Sequence, residues 1–145
     1  WRLQAMGFQI WVEPNAVVYH KNALSMPMHS HKKYYLNHRN SLLMLFGNYS
    51  FANALFLGSA RIIFEFIAIG YSLLKFDLTH ASAILRSLFF ILFNPDVILK
   101  KRLNFQKICK EKENKIIKNF FKSSIVIEHY LKSKNTYSEI ESIDS

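Results

Sequence analysis

The chain has 145 residues, half of them hydrophobic and 20% charged, and its single cysteine, Cys109, excludes an internal disulfide framework and fits a reducing compartment. Its formal net charge of +9 is uneven: residues 98–134 hold 11 Lys and Arg against 3 acidic residues, whereas residues 135–145 hold none against 3. Such a basic block attracts phosphate on nucleic acid or on anionic lipid; the strongly apolar stretch before it favours lipid, and no nucleic-acid recognition motif accompanies it.

In chain order, Phe8 to Val12 is mostly apolar, β-branched or aromatic. Glu13-Pro14-Asn15 supplies turn chemistry, and Ala16 to Tyr19 is a second strand-like run that ends on His20. The pattern predicts strand, turn, strand. A polar loop, Lys21 to Lys33, follows, with Pro27 discouraging regular structure. From Tyr34 the apolar spacing predicts a helix that contains Arg39 and Asn40 and stops at Gly47-Asn48. Ser50 is the expected cap of a second helix reaching Lys75, apolar except for Arg61, Glu65 and Gly70. Arg61 and Glu65 stand four apart and can pair. Two central charges make this stretch a poor simple membrane span and a better helix in the interface or against a neighbour.

Asp77 or Thr79 is the expected cap of a third helix through Phe93, with Ala81, Ile84, Leu85, Leu88, Phe89 and Leu92 at helical spacing. Asn94 as cap and Pro95 at the first helical position start a basic amphipathic helix, with a candidate break near Asn114. Ser133 to Ser145, rich in serine and acidic residues, reads as a disordered tail. There is no internal repeat.

Trp1-Arg2-Leu3, Gly7, Pro14-x-Ala16-x-Val18-x-His20, Tyr34-Tyr35 and Arg39-Asn40 together resemble the C-terminal part of family 2 glycosyltransferases, the rhamnosyltransferase-like members above all. Ala83-Ile84-Leu85-Arg86 and Lys100-Lys101-Arg102 are similar to the membrane-proximal extension of many such enzymes, and the likeness weakens toward the C-terminus. The resemblance implies an α+β fold: residues 1–47 as the short, strand-rich end of a GT-A catalytic domain, residues 48–132 as a helical membrane-associated extension, and residues 133–145 as the tail. It implies an inverting enzyme that moves a sugar from a nucleotide-sugar donor to a glycan or lipid-linked acceptor at the cytoplasmic face of the cell membrane, attached peripherally or monotopically. The general base and the Asp-x-Asp metal motif are expected before Trp1, so the present residues alone are expected to be inactive.

In the same frame His20 is expected beside the donor diphosphate, helping to hold Mg or Mn through a ring nitrogen. Arg2, Arg39, Asn40 and Tyr35 are expected around the diphosphate or the acceptor, where a guanidinium can fork across two oxygens. Each has a plainer reading: His20 as a strand-end histidine bonded to a loop carbonyl, Arg2 paired with an acidic residue, Arg39 lying along its helix face. His29, His31 and His38 form an apparent cluster with His20, but no acidic residue or cysteine sits among them, and a solvated loop is the stronger reading. Asn48-Tyr49-Ser50 matches a glycosylation sequon by coincidence in a cytoplasmic setting. A non-catalytic membrane-anchoring or interaction module remains the alternative.

Overall fold

The computed structural model describes residues 1–11, 13, 15–19, 26–118, 128–129 and 132–133. Six helices run through them: α1 (Arg2–Ala5), α2 (His31–Asn48), α3 (Phe51–Leu74), α4 (Leu78–Phe93), α5 (Pro95–Ile108) and α6 (Glu113–Ile117). Trp1–Glu113 and Asn114–Ser145 are separate compact units.

The expected α+β class is overturned, because no strand occurs among the described residues. Phe8 to Trp11 and Ala16 to Tyr19 are irregular, and Trp11, Val18 and Tyr19 are 84 to 95% exposed. Their β-favouring side chains describe a surface that would suit a sheet, but a strand exists only with a ladder partner, and two short runs alone do not make a stable hairpin. The turn chemistry does appear: the Ala16 amide donates to the Glu13 carbonyl at 3.1 Å, and the Glu13 carboxylate accepts the Asn15 amide at 2.9 Å. Before it, α1 ends on Gly7 at φ 89°, where the Phe8 and Gly7 amides close on the Leu3 and Gln4 carbonyls. Glycine takes that left-handed position at least cost. The Ala5 carbonyl then accepts the Lys110 and Glu111 amides, tying this segment to the end of α5.

α2 begins at His31, earlier than the apolar spacing implies, because Ser30 Oγ accepts the Lys33 amide and supplies the cap. It packs on α3, α4 and α5 around Leu42, Leu43, Ala54, Ala83, Ile84 and Phe105. α2 and α3 approach closely at Gly58, where an added Cβ would lie 2.5 Å from the Phe46 ring. Arg102 Nη1 donates to the Phe46 carbonyl at 2.7 Å and satisfies one of the carbonyls that the last turn of α2 leaves without a helical partner.

The caps at Ser50 and Asp77 form as expected, their side chains accepting the Asn53 and His80 amides. Between α3 and α4 the chain turns through Phe76 at φ 57°, with the Phe76 and Asp77 amides closing on the Leu73 and Ser72 carbonyls. This turn lays α4 back along α3. Pro95 opens α5 as expected, but the Asn94 side chain donates backward to the Phe90 carbonyl rather than capping α5. The basic helix ends at Ile108, before the expected break near Asn114. In the second unit Lys132 pairs with Glu128 at 2.7 Å. Of the expected tail, only Ser133 lies among the described residues.

Candidate functional site

α3 wears its polarity inside out. With about 100° of rotation per residue, Arg61, Glu65, Ile69 and Ser72 fall on one side and face α2 and α4, while Phe56, Ile63, Ile67 and Leu74 fall on the other and are 60 to 80% exposed. It is the one described helix long and apolar enough by itself to cross a membrane, and only 17% of its most apolar window is covered by the rest of the protein. α4 and α5 satisfy the same test only as a pair bent by 73°.

The two central charges of α3 are compensated internally. Arg61 and Glu65 pair at 2.7 Å, and the second Glu65 oxygen meets His38 Nδ1 at 2.6 Å from α2. His38 Nε2 lies 3.1 Å from His80 Nε2 on α4, and His80 Nδ1 lies 2.8 Å from Ser72 Oγ. The proton directions follow from one donor. Ser72 Oγ donates to the Ala68 carbonyl at 2.8 Å, so His80 Nδ1–H donates to Ser72 and His80 Nε2 accepts from His38. Glu65 lies on the other side of the His38 ring, where it also pairs with Arg61.

Burial, and then the charge on His38, lower the His80 pKa below its ordinary value; Asp77 and Glu65 oppose the shift without cancelling it. For Glu65 burial works against the carboxylate, and His38 and Arg61 outweigh it and hold its pKa below the ordinary value. Tyr34 packs against His80 at a tilt of 45°, with ring centroids 4.4 Å apart, and binds His29 Nδ1 through its hydroxyl at 2.7 Å.

The residues expected around phosphate divide between two places. Arg2 and Asn40 line an open groove of about 340 Å³ with Trp1, Asn48 and Lys101, and Arg2 Nε reaches Asn48 Oδ1 at 3.4 Å. Arg39 and Tyr35 lie elsewhere on α2, the guanidinium carbon of Arg39 standing 5.2 Å from the Tyr35 ring centroid. Asn40 joins the two places, since its Oδ1 accepts both Nε and Nη2 of Arg39. Arg86 on α4, to which the sequence assigns no role, approaches the same Tyr35 ring at 4.9 Å.

His20 lies outside the described residues. Of the apparent histidine cluster, His29 and His38 engage Tyr34 and Glu65 respectively. Among the described residues no group of three or more His, Cys, Asp or Glu side chains is arranged to hold a metal ion. Cys109 is exposed, its Sγ donating to the Glu111 carbonyl. His80 and Ser72 were not singled out by the sequence, and only their spacing from Asp77 and Ala68, three and four residues, hints at the turn that joins them. No family model, curated protein or solved structure matches the chain.

Proposed function

We propose that this chain seats a glycosyltransferase on the cytoplasmic face of the cell membrane, peripherally or monotopically, where the enzyme moves a sugar from a nucleotide-sugar donor to a glycan or lipid-linked acceptor. The observation that carries the seating is the inverted polarity of α3. A helix that turns Arg61, Glu65 and Ser72 inward and leaves Phe56, Ile63, Ile67 and Leu74 uncovered gains little in water and much in the acyl region of a bilayer. The lysines of α5 and of the residues after it supply the attraction to anionic headgroups.

The transferase part of the reading is supported by the Trp1-Arg2-Leu3, Pro14-x-Ala16-x-Val18-x-His20 and Arg39-Asn40 resemblance. Arg2, Lys101 and Asn40 in one groove are chemically suited to a diphosphate. A non-catalytic anchoring module is the second reading, favoured by the absence of strand among the described residues of the first nineteen.

Two measurements test this. The chain should sediment with vesicles containing phosphatidylglycerol, more weakly as salt rises, and recovery in the soluble fraction without detergent overturns the seating. The coding sequence upstream of Trp1 should contain an acidic motif within a few residues and an Asp-x-Asp further back. Their absence leaves the anchor.

A further inference from the structure

Arg39 and Arg86 come from different helices, 47 residues apart in the chain, yet both guanidinium carbons lie within 5.2 Å of one ring centroid, that of Tyr35. Phe90 completes the cluster, edge-on to Tyr35 at 6.5 Å and 5.3 Å from the Arg39 guanidinium carbon. Two cations gathered on one ring repel each other, and a carboxylate beside them would relieve that repulsion. Among the described residues neither arginine has one: every ion pair there uses other cations. Asn40 Oδ1 fixes one edge of the Arg39 fork through Nε and Nη2 and leaves Nη1 without a partner among the described residues. The aromatic rings position the two forks without neutralising them.

We propose that Arg39, Arg86 and Tyr35 form a binding site for a phosphomonoester or diphosphate group carried on a membrane lipid. A doubly charged phosphate group balances two guanidinium groups, and its tetrahedral oxygens accept forked hydrogen bonds from both. The lipid origin follows from the surroundings on α4. Phe89 and Phe93 stand three and seven residues beyond Arg86, stack at 6.1 Å and are 55% and 72% exposed, with Leu92 beside them at 68%. A soluble phosphate has no use for that apolar flank, whereas a lipid places its phosphate at the arginines and its chain along the rings. This proposal rests on the membrane seating proposed above, and it adds Arg86 and a ligand chemistry to it.

The test uses the full chain with two vesicle types matched in surface charge, one carrying phosphatidic acid, a phosphomonoester, and one carrying phosphatidylglycerol, a phosphodiester. The wild type should prefer phosphatidic acid by at least about fivefold, and the double variant R39Q/R86Q, checked for helical content, should lose that preference. The variant K107Q/K110Q, with the same loss of charge, should weaken both interactions and keep the preference. A preference that survives R39Q/R86Q, or an equal response of both variants, overturns the site. Inorganic pyrophosphate distinguishes the source: saturable binding without lipid as tight as binding to phosphatidic acid overturns the lipid origin. Failure of the seating looks different, with no variant binding either vesicle. In that outcome, pyrophosphate binding that does not depend on Arg39 and Arg86 overturns the site as well.

Discussion

α2 and α4 carry two clusters of charge, and consecutive residues of α2 begin them. His38 turns inward to Glu65 and His80, and its cluster contains its own counter-charge. Arg39, one residue and about 100° further round the helix, turns to Tyr35 beside Arg86, where the described residues offer no carboxylate. The first cluster completes a fold, since the charges that α3 points inward are paired with each other and with His38. The second is chemically open, and the difference separates side chains that hold the helices together from those available to a ligand.

The largest effect should come from breaking the inner cluster. Glu65→Gln leaves His38 and Arg61 without their counter-charge and should cost about 2 to 3 kcal/mol, less than for a fully enclosed pair because Arg61 is 37% exposed. Denaturant unfolding in detergent measures it, and R39Q/R86Q in the same assay should stay within about 0.5 kcal/mol of wild type. An equal loss in both would erase the distinction between the clusters.

On the outer side of α3, Ile67→Glu should weaken vesicle binding by more than about tenfold while leaving unfolding in detergent nearly unchanged, because an uncovered isoleucine contributes to burial in lipid and little to packing. Vesicle sedimentation against salt reads the first part. Unchanged partitioning would mean that this face is not the one in contact with lipid.

The pH response sharpens the comparison from the inner side. His80 faces Tyr34 and His38 from α2, Ser72 and Glu65 from α3, and Asp77 from the turn before α4. Its folded pKa lies below the ordinary 6.5, so the unfolded chain binds more protons in that interval. The stability due to neutral His80 is present above about pH 6.5 and is lost as the pH falls through the folded value. Glu65 adds a second loss below the ordinary 4.5, as the pH falls through its lowered value. Unfolding measured from pH 8 to 5 should show the first loss, and His80→Gln should flatten it.

The smallest effect concerns the turn between α3 and α4. Phe76 is 89% exposed and holds a left-handed backbone conformation that glycine adopts more readily. Phe76→Gly should stabilise the fold by about 0.5 to 1 kcal/mol and weaken vesicle binding slightly. A gain in stability without any loss of binding would remove the reason for an aromatic residue at that strained position.

Local chemistry made much of this legible. Ser50, Asp77 and Pro95 announce helix starts because capping and proline geometry act within a few residues, and the pairing of Arg61 with Glu65 follows from helical spacing alone. The strands expected in Phe8 to Tyr19 failed for the opposite reason. Strand propensity records fitness for a sheet, and these residues have no partner strand among the described residues. Arg39 and Tyr35 could be picked out as neighbours on one helix, whereas Arg86 could not be joined to them, since nothing local relates α2 to α4.

The sequence by itself determined where α3, α4 and α5 start, the caps at Ser50 and Asp77, and the alternation of apolar and basic segments, because those depend on contacts within a few residues. Only the tertiary structure decided which side of α3 faces inward. The spacing permits Arg61 and Glu65 to point anywhere, and the position of His38 and His80 across the bundle makes the polar side the inner one. That choice leaves the apolar side of a helix long and apolar enough to cross a membrane uncovered, while its two central charges are paired on the inner side.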